Sequence, residues 1–438
     1  MIGILPIYSN AKDPDSDLAA QLRGFLHFPD FLHLLLKKVI HEHPQVKSQV
    51  QAMQVAGLEV LIAQQAYWPT PSISMERVQS QTPDLAYNGS PEVLTFRLQQ
   101  PLWTGGRLTA QNNKALASQG IESARLNEIQ HSLALKTLQA WTEVVSSLLQ
   151  QKTLEVSLVT QSQLLDKIVR RAEQGLSSRS EVNYSSLRWH QLKQEISNAK
   201  QLERQAWIRL KQWVPEAETL SPSIGSDNSR TPQANTSRLV KEIVNVSLAQ
   251  WELEGLANSP LVDRLKNVSQ FQLAELAEKR AALQPEMYVR AEHQRGNYGY
   301  VNSPPTNRVF VGLSASTGAG LSLGHQLAAL QNKHQGTLEE ITTAQRAVLE
   351  AVQTDYLNVN ARQSKATSLQ FNLKSSQEMQ AAWERQFING KKTWIDVMNA
   401  ARETTQAELA VIENDMAILQ SYWRLQIHAY GLLRWATP

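Results

Sequence analysis

The feature of the sequence that most constrains the fold is an internal repeat. Residues of the same kind recur in the two halves of the chain at a nearly constant separation of 214 or 215 positions. The matched pairs are Pro71 with Pro285, Gly106 with Gly320, Arg170 with Arg385, Gly175 with Gly390, Glu181 with Asp396, and Val182 with Val397. One separation kept across strand, turn and helix positions predicts an internal duplication, with the same order of elements in each half.

Long stretches without proline predict unusually long helices. Residues 108–171 and 326–386 contain no proline and one glycine each. About 60 helical residues at a rise of about 1.5 Å give a length on the order of 90 Å. In residues 180–213 and 393–433, apolar side chains recur at spacings that sum to seven, a pattern typical of helices packed side by side as coiled coils.

Four short segments, at about 72–78, 94–100, 286–294 and 308–316, have the composition of β-strands. Residues 94–100 alternate between apolar and polar side chains, which gives a strand two chemically different faces. Such a strand suits a barrel wall between lipid and water. It equally suits a half-buried hairpin of a soluble protein.

The predicted layout has five parts. They are an N-terminal extension (1–30), a first structural repeat (31–214), a linker (215–238), a second structural repeat (239–433) and a C-terminal tail (434–438). The first repeat is expected to hold a helix, the strands at about 72–78 and 94–100, a long helix at about 107–174 and a helix at about 180–213. The second is expected to hold helices at about 239–283, the strands at about 286–294 and 308–316, a long helix at about 324–387 and a helix at about 393–433. The linker is rich in Ser, Pro, Asn and Thr.

Composition excludes several classes of function. The chain has no cysteine, so thiol catalysis and cysteine-ligated metals are excluded. Its 43 basic and 40 acidic residues form no basic patch, so nucleic acid is not an expected partner. No nucleophile elbow and no convergent acid–base set is present, and the histidines are scattered. We therefore expect no enzymatic activity, no cofactor and no metal site.

Three motifs resemble the TolC family of outer-membrane channel proteins. The segment QPLWTGGR at residues 100–107 resembles the family's junction between strand and long helix. RQFINGKKTWIDVMNA at 385–400 resembles its second helical turn near the periplasmic entrance, and RRAEQGLSSRSEV at 170–182 resembles the first. The resemblance covers about residues 30–433. It implies an α+β membrane protein in which three identical chains, with four strands each, build one barrel of twelve strands that continues as a long α-helical coiled-coil barrel.

The resemblance also implies a function and partners. The trimer would be a passive exit duct in the outer membrane that extends into the periplasm, coupled to an inner-membrane transporter, expected to be of the ABC type, through a periplasmic adaptor. The second turn looks most like the branch that serves type I secretion of large proteins of the adhesin or agglutination type. Efflux of drugs or other small molecules is the near alternative. A cytoplasmic coiled-coil scaffold is the alternative from another class, because no signal peptide is visible at the start of the sequence.

The resemblance assigns candidate gate residues around the second turn. Asp396 is expected in a ring of acidic side chains around the pore, Asn399 stands where some members carry a second aspartate, and Glu181 is the equivalent acid of the first turn. Phe387 and Lys392 stand where some relatives carry Tyr and Arg in links that close the entrance. A phenyl ring forms no such hydrogen bond, and an ammonium group lacks the planar fork of guanidinium. An acid just after a turn is equally explained as a helix N-terminal charge.

The glycines of the motifs are expected to be structural. Gly175 and Gly390 would shape the two turns and form the tip where the adaptor docks. Pro101, Gly105 and Gly106 mark the junction where a barrel strand bends into a long helix, since glycine tolerates positive φ.

Overall fold

The computed structural model describes residues 28–77, 89–217, 246–301, 304–315 and 322–432. Most of the predicted N-terminal extension and linker, the C-terminal tail and Gly320 lie outside these residues.

The described chain contains eight helices and four strands. The helices are α1 (Phe28–Glu42), α2 (Pro44–Gln65), α3 (Arg107–Glu173), α4 (Arg179–Trp213), α5 (Leu248–Ala257), α6 (Pro260–Ala281), α7 (Leu323–Ile388) and α8 (Trp394–Tyr430). The strands are β1 (Thr70–Arg77), β2 (Glu92–Trp103), β3 (Glu286–Arg295) and β4 (Thr306–Ser314). The helices α3 and α7 have 67 and 66 residues, so they are far longer than the helices of ordinary globular domains.

Two prolines mark helix starts that the sequence analysis did not place. The single helix expected before the first strand is two helices, since α2 begins at Pro44 directly after α1. Within the region expected to hold several helices, Pro260 begins α6 three positions after Ala257 ends α5. Proline is accommodated at the first position of a helix but not in its interior, because it lacks an N–H and its ring collides with the preceding turn.

The chain divides into two units, and each takes segments from both halves of the sequence. The first unit contains the described residues up to Val46 and those within 129–259 and 347–438. The second contains residues 47–128 and 260–346. Neither half of the chain is therefore a compact unit by itself.

In the second unit the four strands form one antiparallel sheet in the order β1-β2-β3-β4. The two outer pairs join neighbouring strands of the sequence, whereas the central pair β2–β3 joins the two halves of the chain. In the first unit the cores are small and lie between helices. One core is formed by Leu164, Ile168, Phe387, Trp394, Val397, Met398 and Ala401, and another by Leu154, Leu192, Ile196 and Ala199.

Candidate functional site

One face of the sheet is apolar although it is exposed. The register places Pro71, Leu98, Ala291 and Val309 in one row across the four strands. The apolar neighbours on this face are Ile73, Met75, Leu94, Phe96, Met287, Val289, Val311 and Leu313. The polar side chains of the same parity are His293 and Asn307, which lie in the row of Ile73 and Phe96, and Arg77, Glu92, Gln100 and Arg295. Val309 is 74% exposed and Ile73 is 64% exposed. A patch of this extent is uncommon on a monomeric soluble protein and marks a surface that is covered by lipid or by protein.

The opposite face is polar. The side chains that point to it include Ser72, Ser74, Thr95, Arg97, Gln99, Tyr288, Arg290, Glu292, Gln294, Thr306 and Arg308. Arg97 Nε donates to Glu292 Oε1 over 2.8 Å. The alternation expected for 94–100 therefore extends to the whole sheet, which separates an apolar from a water-compatible environment.

The sheet has two open edges. Among the residues that the structure describes, β1 and β4 each have one neighbouring strand, β2 and β3 respectively. Backbone N–H and C=O groups on a free edge have no water to bind within a lipid bilayer. A sheet of this kind must find further strands before its apolar face can be covered by lipid.

The junction between β2 and α3 is built around two left-handed glycines. The register shifts between Pro101 and Trp103, where the imino nitrogen of proline can donate no ladder hydrogen bond. Gly105 and Gly106 then have φ of +59° and +87°. Residues that carry a side chain rarely adopt such angles, whereas glycine adopts them readily. Arg107, the first residue of α3, forms an ion pair with Glu286 at the start of β3.

The first helical turn ends α3 and begins α4. Gly175 has φ of +75°, and its N–H donates to the carbonyl of Ala172. Ser178 caps α4: its Oγ accepts from the N–H of Glu181, whose carboxylate accepts from the N–H of Ser178 over 2.9 Å. This reciprocal arrangement is a capping box, and it fixes where the new helix starts.

The second turn has the same construction between α7 and α8. Gly390 has φ of +70°, and its N–H donates to the carbonyl of Phe387. Thr393 Oγ1 accepts from the N–H of Asp396, and Asp396 Oδ2 accepts from the N–H of Thr393 over 3.0 Å. The hydrogen bonds from the Thr393 hydroxyl and then its N–H lower the pKa of the Asp396 carboxyl. The Asp396 carboxylate is therefore ionised and held in one orientation by its capping box, and it is partly exposed.

Phe387 and Lys392 have apolar and aromatic partners. Phe387 is buried, with its ring centroid 4.8 Å from that of Trp394, and the Arg171 guanidinium lies 4.9 Å from the Phe387 ring. Lys392 Nζ lies 4.2 Å from the centroid of the Trp383 ring. These contacts give the phenyl ring a packing role, and the ammonium group a cation–π partner.

The polar contacts between the two turn regions join one selected residue, Asn399, to residues that the sequence analysis did not select. Tyr184 Oη donates to Asn399 Oδ1 over 3.4 Å and accepts from Arg188 Nη2 over 3.0 Å. Trp394 Nε1 donates to Ser185 Oγ. Tyr184 and Asn399 are 215 positions apart. They are equivalent positions of the internal repeat, but equivalence does not imply contact, so no sequence pattern indicated this hydrogen bond.

The helices provide neither a membrane span nor a metal cluster. In the described ranges, no helix is long and apolar enough to cross a membrane. The same ranges contain no group of three or more His, Asp or Glu side chains that could hold a metal ion.

Very long helices together with a four-stranded antiparallel sheet that has one mainly apolar face are typical of channel proteins of the outer membrane. The chain belongs to the family of outer membrane efflux proteins, whose sequence model matches residues 35–214 and 255–427. The members are transport channels and not enzymes, and they lie in the outer membrane and extend into the periplasm. The predicted resemblance to TolC-like channels is confirmed for the family and the fold.

Solved structures of outer-membrane channels share the fold. The outer-membrane channel OprN matches with a TM-score of 0.76 and 14% identity over 98% of both chains. The outer membrane protein VceC from Vibrio cholerae matches with a TM-score of 0.74 and 14% identity over 91% of this chain and 96% of its own. The CmeC outer membrane channel of Campylobacter jejuni matches with a TM-score of 0.73 and 11% identity over 98% and 94%. No curated protein sequence matches this chain.

Proposed function

We propose that three copies of this chain form one exit duct, with twelve strands closing a barrel in the outer membrane. The observation that carries the proposal is the open sheet with one apolar and one polar face. If β1 of one copy pairs with β4 of the next, no edge is left in lipid. The apolar face then meets the acyl chains, and the polar face lines a water-filled lumen.

In this proposal the long helices continue the barrel as a coiled-coil α-barrel in the periplasm. The lengths of α3 and α7 and the equivalent construction of the two turns support it. The equivalent turns also support an internal duplication that makes residues 31–214 and 239–433 two structural repeats. The tips at Gly175 and Gly390 are the proposed docking points for a periplasmic adaptor, which connects the duct to an inner-membrane transporter.

We infer that the cargo is a large protein of the adhesin or agglutination type, exported by type I secretion with an ABC transporter. The sequence GKKTWIDVMNA at the second turn supports this branch. Efflux of small molecules is the second candidate, and membership in the outer membrane efflux protein family favours it. Deleting the gene distinguishes the two. Loss of one large extracellular protein with unchanged drug susceptibility supports secretion, whereas increased drug susceptibility with unchanged secretion supports efflux.

The gate of the duct is proposed at the second turn. Asp396 would supply one carboxylate per chain to an acidic ring, Glu181 a second acidic position, and Asn399 a polar but uncharged one. A narrow ring of carboxylates attracts cations and is blocked by them. Phe387 and Lys392 would keep the turn closed through packing and the cation–π contact.

Cell fractionation and electrophoresis test the duct. With an outer-membrane export signal supplied, we expect the chain in the outer-membrane fraction as a trimer that migrates as such without heating and as a monomer after boiling. Purified trimers are expected to conduct ions in planar bilayers. A soluble monomer under these conditions would contradict the proposal and favour a coiled-coil scaffold.

A further inference from the structure

The polar face of the sheet carries a concentration of arginine at the middle of the strands. The register places Ser72, Arg97, Glu292 and Arg308 in one row across all four strands. Arg290 lies on the same face in the next row. We call Arg97, Arg290 and Arg308 the arginine belt.

A single carboxylate is shared by the belt. Glu292 Oε1 lies 2.8 Å from Arg97 Nε and 3.2 Å from Arg290 Nε, and the Glu292 side chain is only 10% exposed. The Arg290 guanidinium is also placed 4.7 Å from the centroid of the Phe310 ring. Arg308 is the register partner of Glu292 on the other side and is exposed. The belt therefore keeps a surplus of two positive charges per chain.

The other acidic side chains of this face lie at the ends of the strands. Glu286 begins β3 and forms an ion pair with Arg107 of α3. Glu76 is the second-last residue of β1, and its Oε2 accepts a hydrogen bond from Tyr298. Neither carboxylate stands in the rows of the belt, so the middle of the sheet stays positive.

We propose that the arginine belt makes the barrel lumen selective for anions. The inference rests on the proposed trimeric barrel, in which three copies place their belts at one level of a water-filled passage. Like charges in a passage with low-dielectric walls raise the local concentration of counter-ions and repel ions of their own sign. Small anions, and acidic segments of a passing cargo, are therefore favoured at this level over cations.

Reversal potentials in planar bilayers test the belt. Trimers of the full chain are placed in a potassium chloride gradient, and wild type is compared with Arg308→Gln and Arg290→Gln. Both variants are expected to shift the reversal potential towards the potassium equilibrium potential. Arg308→Lys keeps the charge and is expected to retain the wild-type value. The acidic residues at the turns are common to all variants, so the shift reports on the belt alone.

Arg77→Gln is the matched control, because Arg77 lies in the same sheet with the parity of the apolar face. It is expected to leave the reversal potential unchanged. If trimers of wild type, Arg308→Gln and Arg290→Gln all conduct with the same reversal potential, the proposed anion selectivity of the arginine belt is wrong. The proposed trimeric duct would be unaffected by that result. The absence of trimers and conductance in wild type would overturn both proposals.

Discussion

At the scale of single residues, Asp396 combines a structural contact with a proposed role in the pore. Its carboxylate caps α8, and this contact alone explains an acid at this position. We predict that Asp396→Asn, which keeps a hydrogen-bond acceptor but removes the charge, weakens the block of conductance by divalent cations in planar bilayers. Glu181→Gln makes the equivalent change at the second acidic position, and the melting temperature of the helical unit shows for each variant whether the capping box has been lost. Unchanged block in Asp396→Asn would exclude Asp396 from the pore ring.

His428 is predicted to make the helical unit sensitive to acid. Burial, with smaller contributions from His131 and Arg424, lowers the pKa of His428 to about 3. Between the ordinary value of 6.5 and about 3, the unfolded chain binds a proton that the folded chain does not. The stability contributed by neutral His428 is therefore present above about pH 6.5 and is lost as the pH falls, by about 1.4 kcal/mol per pH unit.

His428→Gln measures this effect, since glutamine does not titrate. Burial raises the pKa values of Asp355 and Asp415 to about 6, so these groups favour the folded state as the pH falls, which is the opposite sign. Asp355 and Asp415 are present in both wild type and variant. The difference between the two proteins in the pH dependence of the melting temperature therefore reports on His428. We expect the melting temperature of the helical circular dichroism signal to fall more steeply in wild type between pH 7 and pH 5, values that bracket the ordinary histidine pKa of 6.5. Parallel curves would contradict the assignment.

At the scale of elements, the junction between β2 and α3 depends on two glycines for different reasons. Both have positive φ, but a Cβ on Gly105 would lie 2.5 Å from Gln284 Cβ, whereas a Cβ on Gly106 meets no atom within 4 Å. We predict that Gly106→Ala costs about 1 kcal/mol of backbone strain. Gly105→Ala is expected to cost more, because strain and overlap add. The temperature at which the proposed trimer dissociates on a gel measures the loss of stability in each variant. Equal losses in Gly105→Ala and Gly106→Ala would contradict the role of Gln284.

The contact between α4 and α8 is predicted to depend on the Tyr184 hydroxyl. Tyr184→Phe removes the hydrogen bonds to Asn399 and Arg188 while keeping the ring. A double-mutant cycle with Asn399→Ala is expected to show a coupling energy of about 0.5–1.5 kcal/mol in the melting of the helical unit. Additive effects would show that the 3.4 Å contact contributes nothing. If the proposed duct forms, we also expect channels of the Tyr184→Phe variant to open more often in planar bilayers, because a contact between the two turn regions is lost.

The elements could be anticipated from the sequence, whereas the contacts of the turns could not. The period-two pattern and the proline-free stretches indicate strands and helices because they depend on neighbouring residues. The sequence also offered Pro44 and Pro260 as helix starts, because proline is favoured at the first position of a helix. The burial of Phe387 against Trp394 and the Tyr184–Asn399 contact depend on how two helical hairpins pack, which local patterns do not encode.

At the scale of the whole molecule, pairing between β1 of one copy and β4 of another can be tested with cysteines. The chain has none of its own, so introduced thiols have no background. Ser74→Cys is combined in turn with Thr306→Cys, Phe310→Cys or Ser314→Cys, all on the polar face. We expect at least one combination to give disulfide-linked dimers and trimers in outer membranes. Ser74→Cys with Asn307→Cys places the thiols on opposite faces and is the negative control. The absence of links in all three combinations would contradict the closed barrel.

The pairing of β2 with β3 has a consequence for how the chain is made. Arg97 and Glu292, which face each other in this pair, are 195 positions apart, so the central strand pair cannot form until the second half has been synthesised as far as β3. Closing so long a loop carries a larger entropy cost than forming the two local hairpins, and contacts of this kind form late in folding. The first hairpin alone would expose its apolar face to water and invite aggregation. We therefore expect that the first hairpin is protected from aggregation until β3 and β4 are available, and that a chain truncated before β3 lacks the central pairing of the sheet.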